Sequence, residues 1–84
     1  MKFTLTVPET LNYTPADLMR RFAGNDFGNG RANRYIATHD YYFNTVLYDQ
    51  KTAKAYQYDH WKIQKNGDGT ETVTVFMKEK NDEL

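Results

Sequence analysis

Cysteine is absent from all 84 residues. Its absence removes disulfide staples, thiolate nucleophiles and every cysteine-containing zinc site together, and leaves the redox compartment open. Long hydrophobic runs are missing as well. The chain opens Met1, Lys2, Phe3, Thr4, Leu5, Thr6, Val7, alternating where a signal peptide carries an unbroken apolar run, and no stretch approaches the length of a membrane span. A cytoplasmic protein with no membrane partner is the expectation. Net charge is the third thing lacking: 11 basic residues balance 11 acidic ones, so no overall field attracts nucleic acid or imitates it. Locally the balance is uneven. Arg20, Arg21, Arg31 and Arg34 face only Asp26 in the middle of the chain, while Glu71, Glu79, Asp82 and Glu83 outweigh Lys78 and Lys80 towards the end. Solvated charge that keeps a small protein soluble accounts for both segments.

What is present fits one core. A chain of this length folds as a single domain with a stability of roughly 4–12 kcal/mol, expected here over residues 1–78 and followed by a polar tail over 79–84. Residues 2–7 place Phe3, Leu5 and Val7 on one side and Lys2, Thr4 and Thr6 on the other, the period of a half-buried strand, and Pro8 ends it. Thr14, Pro15, Ala16, Asp17 is a helix start with a capping hydroxyl, a proline at the first helical position and an acid in the positive first turn. Tyr13 and Leu18 have the spacing of a hydrophobic staple, and Gly24 is the stop after about ten residues.

Residues 24–30 read as a glycine-rich loop that matches no phosphate cradle. Beyond it the pattern is β throughout, with strands near 34–38, 41–48, 54–64 and 70–78, the first two as separate strands or one bent one. Turns fall at 49–52 and, more strongly, at Asn66, Gly67, Asp68 and Gly69. The second turn lacks the acidic first ligand and the twelfth-position glutamate of a calcium loop, so no metal is expected. The fold expected is therefore α+β, in the order β-α-β-β-β-β, with one short helix packed on an antiparallel sheet of four to five strands.

The strands carry more aromatic rings than one core needs, and the parity of each strand sorts them. Val73, Val75 and Met77 share a face, leaving Thr72, Thr74 and Phe76 on the other. Trp61 and Ile63 share a face, which in a regular strand leaves Tyr56, Tyr58 and His60 opposite. Sending Phe43 and Leu47 inward sends Tyr42, Asn44, Val46 and Tyr48 outward. A single helix covers one side, so the other is expected to present Tyr42, Tyr48, Tyr56, Tyr58 and Phe76, with Arg31 and Arg34 nearby. A one-residue bulge between Tyr58 and Trp61 would reverse the tyrosines.

Exposed tyrosine clusters supply contact area at low entropic cost. The leading expectation is a non-enzymatic binding module, without cofactor or catalytic residues, that occludes a surface of a larger protein or ribonucleoprotein. Small, neutral, tyrosine-rich domains of this kind are typical of phage and mobile-element inhibitors of host defence, anti-CRISPR proteins among them, an analogy of size and composition only. A homodimer would use the same face. Two alternatives use other residues. Tyr42, Tyr56 and Tyr58 beside Arg31, Arg34 and Lys62 resemble the aromatic sheets that stack single-stranded bases, against which neutral net charge counts. The mirrored pairs His39-Asp40 and Asp59-His60 are the units of a small nuclease, but neighbours on a regular strand point to opposite faces, so only a cross-strand meeting would join histidine to aspartate.

Overall fold

Local chemistry builds the helix as the sequence predicts. In the computed structural model, which describes residues 1–24 and 34–80, helix α1 spans Pro15–Ala23. Its start is a reciprocal capping box: Thr14 Oγ1 accepts from Asp17 N at 3.2 Å, and Thr14 N donates to Asp17 Oδ2 at 2.8 Å. Gly24 closes it at φ 84°, donating its N–H to the carbonyls of Arg20 and Arg21. Leu18, Met19 and Ala23 form the buried face, and Tyr13 packs against the same cluster.

Five strands form one sheet: β1 (Lys2–Pro8), β2 (Tyr35–His39), β3 (Thr45–Asp49), β4 (Lys54–Lys65) and β5 (Thr70–Glu79). The spatial order is β1-β5-β4-β3-β2, and every neighbouring pair is antiparallel. The molecule is α+β, with one short helix on a curled antiparallel sheet. Because β1 and β2 are the two edges, α1 must cross the whole face to connect them. Phe22 stacks on Phe3 of β1 (4.4 Å between centroids, 13° between planes) and meets Tyr35 of β2 at 5.0 Å. One helical side chain thus holds both edges of the sheet. Phe3, Val7, Leu47, Val73, Val75 and Met77 complete the core beneath it.

Strand β4 contains the bulge that reverses the tyrosines. Tyr58 pairs with Met77 and His60 with the adjacent Phe76, so Asp59 is one residue too many for its partner strand. Beyond the bulge Trp61 and Ile63 lie opposite Val75 and Val73; before it Tyr56 and Tyr58 lie opposite Glu79 and Met77. All four therefore stand on the helix side, and Tyr56 packs against the core cluster. The expectation that Tyr56 and Tyr58 share a face with Phe76 is corrected by this one residue.

The first expected strand pair also differs. β3 starts at Thr45, and residues 40–44 form a turn whose tip is Tyr41, Tyr42 and Phe43. On the face away from α1, Val46 is buried at 2% exposure. There the buried Lys80 side chain brings Nζ within 3.5 Å of Asp40 Oδ2. In a flat sheet β4 and β3 would hold those two ends apart. Their meeting follows from the saddle shape of a twisted sheet, in which one diagonal curls around the helix and the other curls towards the opposite face. β5 continues to Glu79, and Lys80 N donates to Ala55 O at 2.8 Å, so order extends past residue 78. No helix among the described residues is long and apolar enough to cross a membrane.

Candidate functional site

The aromatic tip of the β2–β3 connection is organised from beneath by Asp40. Its carboxylate is buried at the end of β2, where Oδ1 accepts from the backbone N–H of Tyr42 and of Asn44, both at 2.9 Å, and Oδ2 accepts from the Asn44 amide at 3.3 Å. The backbone closes the turn twice more, Asp40 N to Asn44 O and Phe43 N to Asp40 O, each at 3.0 Å. Burial by itself pushes the Asp40 carboxyl upward, but the donors from Asn44 and Tyr42 and the Lys80 charge outweigh it and hold the group below the ordinary carboxylate range. It stays ionised, and the turn stays closed.

The consequence is a fixed loop carrying three rings in water. Tyr41, Tyr42 and Phe43 are 82%, 77% and 78% exposed. Tyr41 and Tyr42 touch edge to face at 5.1 Å, and Phe43 lies 5.0 Å from the His39 ring. Phe43 adopts φ 66°, a left-handed conformation unfavourable by about 1–2 kcal/mol for a bulky L residue. Beside the tip runs an open groove of about 280 Å³ lined by Arg20, Thr38, His39 and Phe43.

The residues singled out from sequence scatter. Tyr42 belongs to this tip, Tyr48 and Phe76 stand half-buried on the face away from the helix, and Tyr56 and Tyr58 lie on the helix side. Arg34 is committed to structure: its Nε and Nη2 donate to Asp49 Oδ1 and Oδ2 at 3.1 and 3.0 Å, and its guanidinium lies 5.1 Å from the Tyr35 ring. Arg31 and the expected loop at 25–30 lie outside the described residues. Tyr41 and Phe43 were hidden by reading 41–48 as one strand. The available signal was Asp40 with Asn44, two turn-forming residues bracketing three aromatics.

No family model matches the chain, and neither curated proteins nor solved structures provide a significant match. The site therefore stands on its own geometry.

The two histidine–aspartate pairs do not assemble. His39 ends edge strand β2 and His60 sits in β4, with β3 between them. Asp59 and His60 do meet, His60 Nδ1 lying 3.0 Å from Asp59 Oδ2, because the bulge suspends the alternation that separates neighbours on a regular strand. The contact is exposed, and His60 stacks on Phe76 at 4.5 Å and 6°. Among the described residues no three of His, Cys, Asp or Glu gather as metal ligands.

Two other polar contacts tie the stability of the fold to pH at its extremes. Asp49 accepts both arms of Arg34, which lowers its carboxyl from 3.8 to about 2. Tyr13 donates to the buried Glu71 at 2.5 Å; burial first, then the Glu71 carboxylate, push the phenol from 10.0 up to about 12. A depressed carboxyl stabilises the fold above its unfolded value and loses that contribution as pH falls through the folded value. A raised phenol stabilises below its unfolded value and loses the contribution as pH rises towards the folded one. Urea midpoints should therefore be flat between about pH 5 and 9, falling from about pH 4 towards 2 and again from about pH 10 towards 12. The Arg34→Gln variant should lose less on acidification than the parent, and an equal acid loss in both would remove Asp49 as the cause.

Proposed function

We propose that this protein is a binding module that seats the Tyr41, Tyr42 and Phe43 turn in an apolar recess of a larger protein or ribonucleoprotein and thereby occludes that surface. The observation that carries the reading is three consecutive rings, each more than three-quarters exposed, on a turn locked by a buried carboxylate. Folding alone gives no reason to keep them there. Rings in water contribute little to stability, whereas pre-organised aromatic anchors are what an interface rewards, since little entropy is lost on docking. The left-handed Phe43 supports the same view, because asparagine or glycine suits that backbone better. Inhibition of a host-defence complex by a phage or mobile element is the setting in which a small occluding domain of this composition fits best.

The test separates binding from stability. Phe43→Asn is expected to raise stability by about 0.5–1 kcal/mol while weakening partner capture at least tenfold, and Tyr41→Ser with Tyr42→Ser should abolish capture at unchanged melting temperature. Capture would be read by cross-linking from a host lysate, with Ile63→Ser as an exposed apolar control. A Phe43→Asn protein that is less stable and captures the same partners as the parent would reduce the tip to a structural turn.

A further inference from the structure

We propose that the open face of β1, β5 and β4, on the side of the sheet away from α1, binds single-stranded nucleic acid. Neutral net charge argues against such a role only if the charges are mixed, and this sheet sorts them. On the helix side the charged groups pair with one another: Arg34 with Asp49, Lys54 with Glu79, and Lys65 with Glu9 and Glu71. By strand register Lys2, Lys62 and Lys78 stand on the opposite face, while Glu71 and Glu79 stay on the helix side. All three lysines are exposed, and none forms an ion pair with a described residue. Two carboxylates border this side of the sheet, and both have partners: Asp59 at the bulge meets His60, and Asp40 at the far end meets Lys80.

The middle of the face is aromatic. Lys2, Phe76 and His60 form one row across three strands. The rings of Phe76 and His60 stack almost parallel at 4.5 Å, and the ammonium groups of Lys2 and Lys62 each lie 5.7 Å from the Phe76 centroid. Threonines 4, 6, 72 and 74 line the ground beside it as hydroxyl donors and acceptors. A ring platform flanked by cations is the arrangement that takes a base on the ring and phosphates on the amines. An acidic peptide would use the lysines but leave the rings unused, so the stacked pair decides for a nucleotide chain. Of the described residues in the set that sequence alone suggested, Tyr42, Tyr56, Tyr58, Arg34 and Lys62, only Lys62 stands on this face. The bulge takes Tyr56 and Tyr58 off this face and leaves His60 on it, opposite Phe76.

The experiment is fluorescence anisotropy with labelled oligo(dT) and oligo(U) of about twelve nucleotides, long enough for one sheet platform. Three phosphate contacts at about −0.7 each predict a log–log salt slope near −2, so affinity should fall about 20-fold between about 50 and 200 mM salt. The K2Q/K62Q/K78Q variant should weaken binding and flatten the slope. His60→Ala with Phe76→Leu should weaken it about 5- to 100-fold at unchanged slope, since stacking does not release counterions. K54Q/K65Q, on the helix side, should bind like the parent, and melting curves would verify that each variant folds. The proposal is overturned by no binding at about 50 mM salt, by equal loss in K54Q/K65Q, by a duplex binding as tightly as the single strand, or by polyglutamate displacing the oligonucleotide at equal charge concentration.

Discussion

Deleting Lys62 is expected to lower the melting temperature by at least about 15 °C, whereas deleting Asp59 should leave it within a few degrees of the parent. The difference lies in strand parity. Tyr58 and His60 already lie opposite the adjacent Met77 and Phe76, so removing the surplus Asp59 makes them neighbours in a regular strand and keeps Tyr56, Tyr58, Trp61 and Ile63 on the helix side. Removing Lys62 instead makes Trp61 and Ile63 neighbours that can no longer share a face. Either Trp61 turns away from the core cluster it packs against, or the ladder to β5 breaks. The first loses the packing of a large ring, worth about 3 kcal/mol or more, and the second loses backbone hydrogen bonds, in a domain with roughly 4–12 kcal/mol in total. Circular dichroism melts of the two variants would test this. A protein without Asp59 that melts as low as the one without Lys62 would mean that Asp59 is not a surplus residue in the ladder.

Phe22→Ala should cost about 3 kcal/mol and lower the melting temperature by roughly 15 °C. That is large for a half-buried residue, and the reason is position. Phe22 touches Phe3 on one edge strand and Tyr35 on the other, so its loss opens both ends of the sheet together. Double-mutant cycles with Phe3→Leu and Tyr35→Leu should each show coupling of about 0.5–1.5 kcal/mol, as aromatic pairs do beyond their buried area. A loss below about 1 kcal/mol would place the clasp elsewhere in the core.

The aromatic tip and the cationic face have opposite relations to the sequence. Tyr41, Tyr42 and Phe43 were adjacent in the chain yet read as strand, because aromatic residues are also what strands contain and the competing turn signal from Asp40 and Asn44 is short. Lys2, Phe76, His60 and Lys62 come from three strands and no local pattern links them. Their grouping follows only once β1 is placed beside β5 and β4 is paired with β5 in register.

The amino acids by themselves determined what depends on near neighbours. The capping box and glycine stop of α1, the alternation of β1 and β5, and the turn at 66–69 all arise from residues within four positions of one another, so helix, strands and fold class were legible before any pairing was known. Only the tertiary structure decided which rings stay dry and where charge collects. One surplus residue in β4 exchanges the faces of two tyrosines, and the Asp40 to Lys80 contact joins groups 40 positions apart. Strand parity has a period of two, so an irregularity set by the partner strand inverts every side chain before it.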